Sequence, residues 1–330
     1  MTTAKLPLTV NYRTLLAILW VAPMAAAFAL FDHLVLDGTW STENHFTPEQ
    51  IVYWTAILTL PHIVASMISF ADREYLAWYK KPLIRGLGIS LLLAFIGQVL
   101  FGGYAAIFII ACYTMYHNVQ QQFGITAMIL RMPQTAAFKS MKWFFTIPSA
   151  LGYIVLMLPA MDPLQAYTPY VLQFIGALLA VGTVFAAYVF IRLQRDAATP
   201  QIGLRYFVGN IIALHLSFIM LVTGYGFLTT LISRLIHDLT AYVIYTAHDH
   251  NRYAAAPVNP FYALPAKLGM KPAFACVPIA LVISVIILMS VKHSVDTSAV
   301  VLATLNFMHY YMEGHMWKRG TPHRQHVPFA

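Results

Sequence analysis

Charged residues are what this chain has least of. Asp, Glu, Lys and Arg make up 10% of its 330 residues, against about 25% in an ordinary soluble domain. That scarcity excludes a disordered chain, a coiled coil and a typical cytosolic enzyme. Cysteine is scarcer still. Cys112 and Cys276 both fall in apolar stretches, which leaves no disulfide framework and no thiolate metal motif. There is no Gly-rich phosphate loop and no Ser-His-Asp order, and the Gly97 to Gly103 run has no βαβ unit around it. The excess of 20 Lys and Arg over 12 Asp and Glu comes without a basic-aromatic patch, so nucleic acid is not an expected partner.

Apolar residues fill the space that charge leaves. They make up 59% of the chain, and mean hydropathy is +0.67, more apolar surface than one soluble core can bury. Runs near 20 residues can cross a bilayer as helices. Ten are legible, at about 13–31, 50–70, 84–101, 103–131, 141–161, 168–194, 205–223, 225–248, 272–292 and 296–317. The expected fold is all-α: a polytopic integral membrane bundle of about ten transmembrane helices, one domain over 1–330, with membrane lipid around it. Gly102-Gly103 and Gly224-Tyr225-Gly226 read as tight turns between paired helices. Asp32-His33, not a small-residue cleavage site, follows the first apolar run, so that run reads as a retained helix. Lys and Arg collect in alternate connections (Arg73 to Arg85, Arg131 to Lys142, Arg192 to Arg205, Arg252 to Lys271, Lys318 to Arg324). The positive-inside rule then places both termini in the cytoplasm, with a bacterial inner membrane as the expected location.

Histidine is the anomaly. The chain has 13, more than its 12 carboxylates, and intramembrane polar residues are costly and commonly functional. His45, His293, His323 and His326 fall in or beside loops and read as solvated surface residues. His33 reads as interface polarity, and His215 as a side chain bonded to a neighbouring helix. His62, His117, His237 and His309 form a pattern. Each lies 12 to 14 residues from the outer end of its helix, or roughly 18–21 Å at 1.5 Å per residue. Neutral imidazole is a good ligand for iron, zinc or copper, and bundle cores commonly house metal sites. A proton or substrate pathway is the competing reading of the same four residues.

Polar neighbours extend the pattern. Glu313 is one helical turn beyond His309 and can serve as ligand, supporting partner or base; Asp238 follows His237 and stands one turn from Arg234. Glu313 and Asp238 are the candidate catalytic carboxylates. His248, His250 and His315 are further candidate metal ligands for a second ion. As plain interface histidines they need no metal at all.

Leu60-Pro61-His62, His117, Ile236-His237, and His309 followed by Glu313 and Lys318 form an order of boxes. That order resembles the bacterial and archaeal Brp/Blh-type β-carotene oxygenases, polytopic membrane proteins in which four histidines are thought to bind one non-haem iron. The chain departs from their pattern at Ile63, Asn118 and Ala241. The tight His boxes of membrane desaturases and hydroxylases are absent. The resemblance implies a shared non-haem iron chemistry. With the four buried histidines, the leading expectation is an O₂-dependent oxidoreductase, an oxygenase or hydroxylase acting on a lipophilic, lipid- or isoprenoid-like substrate, with one iron or, through His248, His250 and His315, two. Three alternatives stand beside it: an intramembrane zinc hydrolase, a transporter using the buried histidines, and a haem-binding subunit of a larger complex.

Overall fold

A computed structural model describes residues 7–43, 48–157, 166–254, 258–291, 295–318 and 320–330, with side chains described for all but 42, 43, 48–56, 101–111, 295 and 296. His45 and His293, expected at the surface, lie outside these residues.

The fold is all-helical among the described residues. The helices are α1 Tyr12–Ile18, α2 Val21–Val35, α3 Thr39–Glu43, α4 Pro48–Ile68, α5 Arg73–Ile129, α6 Ala136–Met157 and α7 Thr168–Gln194, then α8 Gln201–Val222, α9 Gly226–Tyr253, α10 Pro260–Lys267, α11 Pro272–Val291, α12 Val295–Met316 and α13 Pro322–Gln325. The only extended pairing described is a parallel bridge between Val10 and Phe329. Six stretches are long and apolar enough to cross a membrane: Tyr12–Val35, Arg73–Leu100, Thr168–Gln194, Gln201–Val222, Gly226–Tyr253 and Pro272–Val291. Large apolar side chains lie exposed along them, as Leu281, Val282, Val285, Ile286 and Met289 do on α11. Apolar faces of this extent suit lipid rather than water.

One expected turn is absent. Helix α5 runs without a break through Gly102 and Gly103. A glycine inside a helix costs about 1 kcal/mol relative to alanine without ending it, and no proline or capping residue adds a stop signal there. The depth of His117, counted from that turn, therefore loses its reference point. The other expected turn is present. Gly224 takes φ +87°, a left-handed conformation that favours glycine, and the Tyr225 amide bonds back to the Met220 carbonyl at 2.8 Å.

The chain divides into two compact units. The first comprises Met1–Asn11, Thr55–Ile110 and Asp238–Ala330. Its core takes Leu60, Val64 and Ile68 from α4, Tyr75 and Tyr79 from α5, Ala241 and Tyr245 from α9, Cys276 and Ala280 from α11, and Met308, Met312 and Met316 from α12. The four-residue spacing within α4, α9, α11 and α12 gives each helix one buried stripe. The second unit comprises Tyr12–Trp54 and Ala111–His237. Val119, Phe123, Phe138, Met141, Phe145, Ile175, Leu179, Ala186 and Phe207 fill its core. Helices α6 and α7 meet closely at Gly182, where a Cβ would stand 3.3 Å from the Phe144 carbonyl oxygen.

Candidate metal centre

Each compact unit holds one pair of the four histidines. In the first unit, His62 on α4 and His309 on α12 are fully buried. Their rings meet edge to face with centroids 4.6 Å apart, and the two Nε2 atoms are 2.9 Å from each other. Ser66, one turn after His62, explains the orientation of His309. Its hydroxyl donates to the Ile63 carbonyl at 2.6 Å, so its oxygen accepts from His309 Nδ1–H at 2.8 Å. A hydroxyl has one hydrogen to give. His309 therefore carries its proton on Nδ1 and presents an Nε2 lone pair toward His62. Fixing a ligand imidazole through its second nitrogen is the usual way a protein tunes a metal site.

In the second unit, His117 on α5 and His237 on α9 meet edge to face, with ring centroids 5.0 Å apart. Gln122 ties the local backbone: its amide donates to the carbonyl of Ile236, the residue before His237, at 3.5 Å. Tyr206 on α8 donates in turn to the Gln122 side-chain oxygen.

One ring nitrogen from each of His62, His117, His237 and His309 can be chosen so that all four lie within 4.8 Å of one another, an arrangement that could hold a metal ion. Three of the four imidazoles are buried and His117 is partly so. The donor set fits a cation: four imidazoles, each able to offer one ring nitrogen, suit borderline metals such as zinc, iron or copper.

Carboxylates border this set. Glu313 is buried, with Oε1 4.0 Å from His309 Nε2, and accepts a hydrogen bond from the Tyr245 hydroxyl. Tyr245 lies against His62, ring centroids 5.8 Å apart. Asp238 and Arg234 are both buried, one turn apart on α9. Ser66, Gln122 and Tyr206 escape the sequence reading. Ser66 falls one helical turn after His62, but serines at that spacing are common in any bundle and single nothing out.

The remaining histidines sit elsewhere. His248 is buried, with Nε2 3.0 Å from the Tyr75 hydroxyl and Nδ1 2.8 Å from Asp249. His315 Nδ1 bonds the Tyr311 carbonyl at 2.9 Å. His250 is half-buried on α9. None of these three joins the four-histidine group. His215 bonds Thr183 on α7 at 2.9 Å, the helix-to-helix bond expected of it. His33 is exposed, whereas its neighbour Asp32 is buried and accepts from the Trp40 and Ser41 amides and the Tyr225 hydroxyl. His323 departs from expectation: it is fully buried, not solvated. No family model, no curated protein and no solved structure matches this chain.

Proposed function

We propose that His62, His117, His237 and His309 hold one metal ion inside a membrane, and that the protein is a non-haem iron oxygenase or hydroxylase acting on a lipophilic substrate. One observation carries this reading: four imidazole nitrogens, drawn from four different helices, gathered within 4.8 Å. Four nitrogen ligands leave positions open on an iron that accepts six. Such an iron, when bound, would supply activation of O₂ toward a carbon–hydrogen or carbon–carbon double bond.

The chain's own residues do the rest. Ser66 keeps His309 in the tautomer that offers Nε2. Glu313, held by Tyr245 and 4.0 Å from His309 Nε2, can take or return a proton beside the centre. His62 and His309 are fully buried, and so are their helix neighbours Ile63 and Met312. A substrate reaching such a centre enters from lipid. The resemblance of the His62 and His309 boxes to carotenoid oxygenases supports an isoprenoid-like chain as its chemical class. In this reading the Lys- and Arg-bearing connections face the cytoplasm, and the less apolar helices α4, α6 and α12 also lie within the membrane.

A zinc hydrolase is the second reading, favoured by Glu313. With Oε1 4.0 Å from His309 Nε2, Glu313 would act as the base for a water that zinc, when bound, would activate.

Metal analysis of purified protein, with each of the four histidines changed to Ala in turn, tests both. Stoichiometric iron that is lost in all four variants is the expected result. Zinc in place of iron shifts the assignment to hydrolysis. Metal fully retained in one variant removes that histidine from the ligand set, and no metal in the wild type overturns both enzyme readings.

A further inference from the structure

The first unit holds a file of oxidisable rings that starts beside the histidine pair. Tyr245 lies against His62, ring centroids 5.8 Å apart, and donates to Glu313. Trp317 follows at 5.7 Å from Tyr245. His323 comes next at 5.9 Å, and Tyr75 lies 4.3 Å beyond it. Tyrosine and tryptophan give up one electron more readily than imidazole, phenylalanine or an aliphatic side chain. Electron tunnelling falls exponentially with distance, so short steps between such rings outrun one long jump.

His323 is the spacer of this file. It is fully buried and also packs on Tyr79 at 5.2 Å and Phe70 at 5.6 Å. The Ser69 hydroxyl donates to the Ser66 carbonyl at 3.0 Å, so its oxygen accepts from His323 Nε2–H at 2.8 Å. His323 Nδ1 then accepts from the Tyr79 hydroxyl at 3.1 Å. With both nitrogens held, the ring is fixed between Trp317 and Tyr75. Asn251 on α9 secures the segment, donating to the His326 carbonyl and to the Leu8 carbonyl, each at 2.9 Å.

Tyr75 ends the file with a proton acceptor already in place. The Asp249 carboxylate accepts from His248 Nδ1–H at 2.8 Å and from the Tyr262 hydroxyl. His248 Nε2 therefore carries a lone pair and accepts from the Tyr75 hydroxyl at 3.0 Å. A phenol that loses an electron must also shed its proton, because its radical cation is a strong acid. The Arg252 guanidinium lies 5.0 Å over the Tyr75 ring, and its charge is met by Asp72 and by the exposed Glu74. The file thus ends close beneath the surface.

We propose that Tyr245, Trp317 and Tyr75 form a one-electron relay that drains oxidising equivalents from the metal centre when no substrate is bound. The relay rests on the metal reading given above. The side chains it spares are Met308 and Met312, thioethers packed beside His309 whose oxidation to sulfoxide disrupts a core. The oxidant is of the O₂ or peroxide class. Hydrogen peroxide takes two electrons and two solvent protons to become two waters, one electron coming from the metal and one from the relay. Tyr245 supplies that electron, and its proton shifts to the Glu313 carboxylate along their hydrogen bond. Trp317 refills Tyr245, which takes its proton back, and Trp317 is left as a radical cation. Tyr75 passes an electron across His323 to Trp317 and its proton to His248 Nε2. The net change is one electron lost by Tyr75 and one proton moved from Tyr75 to His248. A one-electron reductant at the surface restores Tyr75, and His248 returns the proton.

Freeze-quench electron paramagnetic resonance tests the relay. The full-length chain in detergent is loaded with Fe²⁺, without substrate, and mixed with hydrogen peroxide. Wild type should give a tyrosyl signal that narrows when its tyrosine is ring-deuterated. Tyr75→Phe should lose that signal and hold the radical on Trp317, identified with deuterated indole. In Trp317→Phe, a tyrosyl signal should no longer depend on Tyr75, and sulfoxide at Met308 and Met312, mapped by mass spectrometry, should rise. Trp317→Tyr, which restores an oxidisable ring, should return both readouts toward wild type. A wild-type tyrosyl signal that survives Tyr75→Phe overturns the relay. So does iron-loaded wild type with no tyrosyl signal, and both results leave the metal reading standing. Tyr75→Phe, at the far end of the file, decides the relay even where Trp317→Phe loses iron. A chain that binds no iron overturns the metal reading and the relay together.

Discussion

Ser66 matters because a hydroxyl has a single hydrogen. That hydrogen is given to Ile63, which leaves His309 one way to be protonated. Ser66→Ala should weaken metal binding about 10- to 100-fold, the range found when outer partners of ligand histidines are removed, and Ser66→Thr should restore it. Titration with Co²⁺ reads the affinity, and ¹⁵N shifts of His309 read the tautomer. An unchanged tautomer in the Ala variant would remove Ser66 from this role. Tyr245→Phe leaves the ring contact with His62 but takes the donor away from Glu313. Under the proposed function that variant should keep its metal and lose turnover, which metal analysis and a rate assay on one preparation read apart. At this scale the four histidines were legible in the sequence, because imidazoles recurring on separate apolar helices are conspicuous. The partners that aim them were not, because Ser, Tyr and Gln occur throughout any helical bundle.

Among the elements, α5 is the most instructive. Two adjacent glycines between apolar runs look like a hairpin, yet the backbone stays helical through them. Local composition supplies a permission to turn and not an instruction, whereas Gly224 turns because its φ of +87° closes a hydrogen-bonded cap. The two sites should answer a methyl group oppositely. Gly102→Ala and Gly103→Ala should each stabilise the protein by roughly 0.5–1 kcal/mol, the helix preference of Ala over Gly. Gly224→Ala should destabilise it by about 1–2 kcal/mol, the cost of a left-handed residue with a Cβ. Thermal unfolding in detergent measures all three, and destabilisation by the first pair would restore the turn. Where α7 meets α6, Gly182→Val should cost about 1–3 kcal/mol by overpacking against the Phe144 backbone.

For the whole molecule, the apolar character and helical class follow from composition, since a chain with so little charge has few other folded solutions. The count of crossings does not follow so readily. Helix α12 reaches 22 residues but carries Asn306, His309 and Glu313 on its length, so the residues that make it chemically interesting also depress its hydropathy. The burial of His323 was beyond reach of any local pattern. Its socket is assembled from residues 70 to 79, 248 and 317, and nothing in the sequence around Pro322 announces that meeting. The protein should sediment with membranes and resist alkaline extraction, and recovery in the soluble fraction would contradict the reading of its exposed apolar faces.

The Asn251 side chain joins Leu8 and His326, residues drawn from opposite ends of the sequence. Seen as an event in time, this contact sets an order on biosynthesis. At 5 to 20 residues per second, Leu8 waits about 12 to 50 s on the ribosome before Asn251 exists to receive it. Through that interval the segment from Leu8 to Val10 has neither its amide partner nor its bridge. The clasp therefore cannot close before His326 has been translated, and a chain in which it has closed is one that has been read through that residue.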